Sequence, residues 1–146
     1  EMKFMSGRSF LDSNILVYTD DDDSPLKKRR ALELYAELRQ GGWGVVSLQV
    51  LQEYFVTVTR KLSVDAALAR RKTELFGRLR LVVLDLDDIL AAVDLHRLHS
   101  ISFWDALIVR AAQNSACSIL YSEDLQDGWA LDGLRVVNPF VTPGLP

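Results

Sequence analysis

The stretch Ser102-Phe103-Trp104-Asp105-Ala106-Leu107-Ile108-Val109-Arg110-Ala111-Ala112 sets one acidic residue inside an apolar segment. Behind Asp105, apolar residues recur at the spacing of a helix with one buried face, namely Leu107, Ile108, Ala111 and Ala112. Ser102 can cap this helix, and Asp105 then takes the third helical position, as in a capping box with Asp in place of Glu. A carboxylate in the first turn of a largely buried helix must be capped, paired or bound to a metal ion. Other acidic residues that the fold brings to the same place decide between these alternatives.

Length and composition indicate a globular chain. It has 146 residues, of which 49% are hydrophobic and 25% charged, so we expect one domain over residues 1–146, with residues 1–8 and 139–146 as tails. No apolar run approaches the roughly 18 residues that cross a bilayer, and residues 1–9 lack the apolar middle of a signal peptide. Cys117 is the only cysteine, which is typical of a reducing compartment. We therefore expect a cytoplasmic protein without a membrane segment.

The net charge of −3 does not suit a protein that grips duplex DNA nonspecifically, because such proteins are usually basic. Positive charge is nevertheless clustered at residues 27–30, 60–61, 70–72 and 78–80. Each cluster taken singly is best interpreted as a solvated helix face.

Asp12 follows a short apolar run, Ser9 to Leu11, which predicts a buried strand. It would stand at the carboxyl end of that strand, the edge at which ligands bind in open α/β sheets. The alternative is that Asp12 or Ser13 caps the short helix that follows. The two roles are compatible, because Ser13 or Asn14 can serve the backbone while Asp12 faces a pocket.

The rest of the chain alternates between strands and helices. Strands are predicted at 43–47, 81–84, 118–121 and 135–137, and helices at 25–40, 48–59, 64–79, 87–98 and from Ser102 onward. This alternation predicts an α/β fold with a parallel or mostly parallel sheet covered by helices on both faces. The strand at 118–121 ends in Ser122-Glu123-Asp124, so it delivers acids to the same edge as Asp12.

The helix at 25–40 shows clear boundaries. Ser24 is its expected N-cap, Pro25 its first residue, and Gly41-Gly42 its end. Its predicted apolar face consists of Leu26, Ala31, Leu34, Tyr35 and Leu38. The acidic run at 20–23 before it lacks the Gly and distal Glu of a calcium-binding EF-hand loop, so an exposed loop is expected there.

Glu53 is a second pocket candidate. A lone Glu in a helix is usually exposed, but Glu53 lies among apolar residues in a helix that follows a strand directly. The apolar face beside it comprises Val50, Leu51, Tyr54, Phe55 and Val58.

Acids from four segments thus converge on one edge of the predicted sheet. Clustered carboxylates raise one another's pKa unless a cation is present. Oxygen ligands without His or Cys suit Mg²⁺ or Mn²⁺, and such ions promote displacement at phosphorus. The pattern therefore indicates a metal-dependent enzyme that hydrolyses phosphodiesters or transfers phosphoryl groups.

The same residues resemble a known family. Phe10-Leu11-Asp12-Ser13-Asn14, Leu51-Gln52-Glu53, Phe103-Trp104-Asp105-Ala106 and Tyr121-Ser122-Glu123-Asp124 resemble the four acidic motifs of the PIN domain, in the right order over nearly the whole chain. The similarity is greatest to the VapC-type toxins of bacterial toxin–antitoxin pairs.

This resemblance implies a three-layer PIN-like fold and a Mg²⁺- or Mn²⁺-dependent endoribonuclease acting on RNA. By position, the acidic set that binds metal and catalyses would be Asp12, Glu53, Asp105 and Asp124. Asn14 and Ser122 would be polar supporters, and Glu123 and Asp127 are alternatives to Asp124.

The family also implies a homodimer and a small antitoxin protein that occupies a groove near the site. We expect this groove between the helix from Pro25 to Gln40 and the helix from Gln49 to Thr59, because both carry abundant apolar residues.

Two other functions remain open on the sequence. The run Leu81 to Leu84 followed by Asp85-Leu86-Asp87 resembles the first motif of haloacid-dehalogenase-type phosphatases, although too little chain follows it and the expected Thr is absent. Capping of the next helix by Asp85 or Asp87 is the simpler interpretation. The second alternative is a catalytically silent PIN-type module that binds RNA or serves as a scaffold.

The remaining reactive side chains are expected to be structural. His96 and His99 are predicted at the surface and Cys117 in the core. The tryptophans could stack on bases, but packing is the expected role of Trp104.

Overall fold

The computed structural model describes residues 7–141. Within that range the strands are β1 (Arg8–Leu11), β2 (Gly44–Ser47), β3 (Arg80–Val82), β4 (Cys117–Tyr121), β5 (Ala130–Leu131) and β6 (Leu134–Val137). The helices are α1 (Ser13–Tyr18), α2 (Pro25–Gly41), α3 (Leu48–Lys61), α4 (Ala66–Phe76), α5 (Leu86–His99) and α6 (Phe103–Asn114).

The strands form one sheet in the order β3-β2-β1-β4-β6-β5, in which only the pairing of β5 with β6 is antiparallel. Helices flank the sheet and connect the parallel strands from β1 to β4, whereas a loop and β5 lie between β4 and β6. The predicted α/β class with a mostly parallel central sheet is therefore confirmed.

The order in which the chain adds strands to the sheet reverses next to β1. It moves outward from β1 to β2 and β3, then returns to place β4 on the other side of β1. The crevice at such a switch point, beyond the carboxyl ends of the strands, is where open α/β sheets bind ligands. Because Leu11 pairs with Tyr121, the residues that follow β1 and β4 begin side by side at this crevice.

The core lies along the central strands. Phe10, Leu11, Val45, Val46 and Leu120 are completely buried, and the apolar faces of α1, α3 and α6 pack over them. These strands read as continuous apolar runs in the sequence because helices cover both faces of a parallel sheet.

Several predicted details differ. Ser24 makes no side-chain capping bond to α2, although Pro25 opens that helix and Gly42 ends it with a left-handed φ of 75°. The fourth helix is shorter than residues 64–79, because the Asp65 carboxylate caps it by accepting a hydrogen bond from the Ala67 N–H. The hairpin strand β5 was not predicted.

Two large side chains expected in the core are on the surface. Leu26 is 76% exposed and Trp104 is 64% exposed. Periodicity identified the helices that carry them, but both residues lie within two positions of a helix start, where no neighbouring element covers them.

The predicted tails overlap with ordered structure. Arg8 already belongs to β1, and the Phe140 ring packs edge-on against Tyr18 at a centroid distance of 5.0 Å. Residues 1–6 and 142–146 lie outside the described part of the chain.

α1 packs against both α2 and α3. The antitoxin groove between α2 and α3 stays a prediction. An apolar cleft of about 400 Å³ lies beside the start of α3, with Leu48, Val83, Ile89, Phe103 and Leu107 in its walls. None of the helices in residues 7–141 combines the length and apolar character needed to cross a bilayer.

Candidate active site

Asp12 stands at the carboxyl end of β1, where β1 adjoins β4. Its backbone N–H donates to the Tyr121 carbonyl (3.0 Å), which extends the ladder between the two strands by one residue. Its carboxylate caps α1 by accepting from the Ser13 N–H (2.7 Å) and also accepts from the Ser122 hydroxyl (2.7 Å). The Asp12 side chain thus has two roles. Its Oδ1 caps α1, and its Oδ2 belongs to the pocket.

The surroundings of Asp12 oppose its ionisation. The residue is only 4% exposed. Burial raises its pKa to about 7, against the lowering effect of the bonds from Ser122 and Ser13, and the negative charges of Glu53 and Asp124 add to the rise. A cation at this place would therefore be bound favourably, because it would compensate a charge that the protein alone stabilises poorly.

Asn14 joins the ends of the two central strands. Its Nδ2 lies 3.2 Å from Asp124 Oδ2 and 3.4 Å from Asp12 Oδ2, while its Oδ1 accepts from the Glu123 backbone N–H (3.1 Å). The buried Ser122 hydroxyl adds a second link, because it also accepts from the Asp124 N–H (3.1 Å). Asn14 and Ser122 therefore orient both acids.

Of the three acids between β4 and β5, only Asp124 turns towards Asp12. Glu123 points to the other side, where it accepts from Tyr18 Oη (2.6 Å) and pairs with Lys27 Nζ (2.5 Å). Asp127 is also engaged elsewhere, because its Oδ1 accepts a hydrogen bond (2.8 Å) from the backbone N–H of Asn138, directly after β6. This geometry favours Asp124 over its two neighbours as the pocket acid.

Glu53 joins the same network from α3. Its Oε1 accepts from the Ser13 hydroxyl (2.9 Å), and its Oε2 accepts from Gln49 Nε2 (3.0 Å). Ser13 follows Asp12 directly, so this bond ties Glu53 to the end of β1.

Asp105 lies in the first turn of α6 and is half-buried. Its backbone N–H donates to the Ser102 hydroxyl (3.0 Å), which caps the helix as predicted. The reciprocal bond of a capping box is absent, and the Asp105 carboxylate has no hydrogen-bond or ion-pair partner among residues 7–141. Capping therefore explains Ser102 but not the Asp105 side chain.

The four predicted acids differ in how closely the hydrogen-bond network links them. Asp12, Glu53 and Asp124 share hydrogen-bonded neighbours, whereas Asp105 connects to them only through Gln49 Nε2, which donates to the Trp104 carbonyl (3.2 Å). In the described chain no three acidic, His or Cys side chains are already arranged to hold a metal ion. The donor chemistry suits a hard cation, and the negative charges of Glu53 and Asp124 act on Asp12.

Sequence reasoning missed two contributors. Ser13 was considered only as a helix cap, and Gln49 was not singled out. The position of Gln49, four residues before Glu53 on one helix, was the available clue, because residues so spaced share a helix face.

The competing residues have structural roles. The Asp85 carboxylate caps α5, forms a true capping box with Asp88 and follows the edge strand β3. His96 and His99 are exposed, as predicted. Cys117 is buried, as predicted, and burial raises the pKa of its thiol.

Comparison with known proteins decides the family. The model of the PIN domain matches residues 9–126, which include all four acids. The chain belongs to the PIN domain family. No curated protein sequence matches it.

Two solved structures show how this PIN domain compares with others. The toxin VapC20 of Mycobacterium tuberculosis, described as cleaving the sarcin-ricin loop, superposes with a TM-score of 0.66 at 20% identity, over 80% of this chain and 89% of that one. A toxin–antitoxin complex from Klebsiella pneumoniae gives a TM-score of 0.64 at 20% identity, over 90% of this chain and 97% of that one. At such identities the likeness establishes the fold.

Proposed function

We propose that this protein is a Mg²⁺- or Mn²⁺-dependent endoribonuclease and the toxin of a toxin–antitoxin pair. The observation that carries the proposal is the buried Asp12 carboxylate at the sheet's switch point, with Asp124 and Glu53 held around it by Asn14 and Ser13. A structural role alone would not concentrate negative charge in a place where burial raises the pKa of Asp12 to about 7.

The residues that would hold the cation are Asp12, Glu53, Asp105 and Asp124. When bound, the ion would supply positive charge that binds phosphate oxygens and lowers the pKa of a water. Asn14 and Ser122 would fix the carboxylates of Asp12 and Asp124 by the bonds described above. Asp105, whose carboxylate has no partner in residues 7–141, would be free to turn to the cation from the opposite wall.

The choice of RNA and of a toxin rests on the family and its relatives. The chain is a PIN domain, and the two similar structures are a toxin described as cleaving the sarcin-ricin loop and a toxin–antitoxin complex. We accordingly propose an RNA substrate, a small antitoxin partner, a homodimer and a cytoplasmic location. A monomer by light scattering at high protein concentration would contradict the dimer.

The direct test is metal-dependent cleavage of a mixed RNA pool by the purified protein. The proposal predicts internal cleavage with Mg²⁺ or Mn²⁺ and none after EDTA treatment. Full activity in EDTA would contradict it. RNA binding without cleavage in any metal would favour the alternative of a silent RNA-binding PIN module.

A further inference from the structure

Gln49 is the residue through which the two sides of the site are connected. It is the second residue of α3, and its side-chain amide donates to Glu53 Oε2 (3.0 Å) and to the Trp104 carbonyl oxygen (3.2 Å). Both neighbours are acceptors only, so the NH₂ group must face them and the orientation of the amide is determined. Both of its N–H donors are thereby used.

The first of these bonds fixes Glu53. The Glu53 carboxylate accepts one bond at each oxygen, from the Ser13 hydroxyl (2.9 Å) and from Gln49. A half-buried Glu side chain has several rotatable bonds, and two donors from different helices restrict it to one orientation. That orientation directs its charge towards Asp12, whose pKa it raises.

The second bond fixes the start of α6. The Trp104 carbonyl belongs to the peptide unit that leads into Asp105, and Trp104 itself is 64% exposed, so its side chain does little to anchor this turn. Gln49 is half-buried and reaches across from α3 to this peptide. The Gln49 amide is therefore a direct hydrogen-bonded link between Glu53 and the turn that carries Asp105.

We propose that Gln49 is a positioning residue that holds Glu53 and the Asp105 turn at the separation a divalent cation requires. The inference rests on the proposed metal-dependent function, but it concerns a residue outside the acidic set. Groups that orient metal ligands typically change metal affinity or activity about 10-fold to 100-fold when removed.

The test is Mn²⁺ titration of Gln49→Met by isothermal titration calorimetry. Met preserves the length and volume of the side chain but removes both donors. Gln52→Met is the matched control, since Gln52 lies on the same helix and its exposed side chain makes no hydrogen bond to another described residue. We expect Mn²⁺ affinity to fall about 10-fold in Gln49→Met and to stay at the wild-type value in Gln52→Met.

RNA cleavage gives a second measurement. If Gln49 positions ligands and does not act on the substrate, saturating Mn²⁺ should restore most of the cleavage rate of Gln49→Met. Ser13→Ala, which removes the bond to the other Glu53 oxygen, should weaken Mn²⁺ binding in the same direction and serves if Gln49→Met is insoluble.

The outcomes are distinguishable. Wild-type protein that binds no Mn²⁺ and cleaves RNA without it would overturn the proposed function, and the role of Gln49 with it. Wild-type protein that binds Mn²⁺ while folded Gln49→Met binds it equally well would overturn only the inference about Gln49.

Discussion

Asp12 combines three properties that ordinary helix caps do not share. It ends a buried strand, it is 4% exposed, and its carboxylate faces two other acids. Burial raises its pKa to about 7 from 3.8, so the metal-free folded protein binds a proton at Asp12 more tightly than the unfolded chain does. By linkage, Asp12 lowers the stability of the metal-free fold as the pH rises from about 4 to about 7, and the loss persists above that range.

Asp12→Asn should therefore stabilise the metal-free protein at pH 8, because it removes a buried charge while keeping a side chain that can cap α1. The gain should be smaller at pH 5, where the carboxyl is largely protonated in the folded wild-type protein but not in the unfolded chain, and it should vanish only below about pH 4. Urea unfolding in EDTA at the two pH values measures the difference. A gain that is equal at both pH values would mean that Asp12 does not titrate in this range.

At the scale of elements, α5 and α6 are joined by a buried acid. Asp88 accepts from Arg110 Nε (2.9 Å) and Asn114 Nδ2 (3.0 Å), and it completes the capping box with Asp85. The Asp85 N–H that donates to this carboxylate is the main cause of its lowered pKa, and the bonds from Asn114 and Arg110 add to it. Asp88 thus stabilises the fold above the unfolded pKa near 4, and this stabilisation is lost as the pH falls through its lower folded value.

Asp88→Ala should lower the free energy of unfolding by roughly 3 kcal/mol at pH 7, because it leaves Arg110 and Asn114 without their shared acceptor. Its effect should diminish in acid. The exposed neighbour Asp87 is the control, and Asp87→Ala should cost less than about 1 kcal/mol. Equal losses in the two variants, measured by denaturant unfolding, would show that the Asp88 network does not join the helices.

Sequence patterns predicted the helices and strands better than the contacts that side chains make between them. The strand β2 (Gly44–Ser47) could be predicted because a strand buried on both faces is a continuous apolar run in the sequence. The acids after β1 and β4 could be predicted because each directly follows such a run. The exposure of Trp104 and the hydrogen bonds of Gln49 could not be predicted, since both depend on which element lies across the crevice. The choice between Asp124 and Glu123 needed the position of Lys27 on a distant helix.

At the scale of the whole molecule, the topology explains why acids distant in sequence meet. The switch point between β1 and β4 places residues 12 and 122–124 together, and α3 and α6 both begin at the same edge of the sheet. If a cation binds there only in the folded state, it must stabilise the fold by an amount that grows with the logarithm of one plus the ratio of its free concentration to its dissociation constant.

Mn²⁺ should accordingly raise the melting temperature of the wild-type protein, and EDTA should reverse the gain. At a concentration 100 times the dissociation constant, the stabilisation is about 2.7 kcal/mol. Asp12→Asn should lose most of this response. Differential scanning fluorimetry that shows the same Mn²⁺ response in Asp12→Asn would place the cation elsewhere.

Comparing Asp105→Asn with Asp85→Asn shows whether the acids at the sheet edge carry out RNA cleavage. Asp85 is the N-cap of α5, and Asp105 lies in the first turn of α6. Of these two acids, only Asp105 has a carboxylate without a structural partner in the described chain. The measurement is the cleavage rate of one RNA in Mn²⁺, with circular dichroism to confirm folding. We expect a loss of orders of magnitude for Asp105→Asn and near wild-type cleavage for Asp85→Asn, whose Asn still caps α5 at a cost of at most about 1 kcal/mol. A folded, fully active Asp105→Asn protein would contradict this expectation.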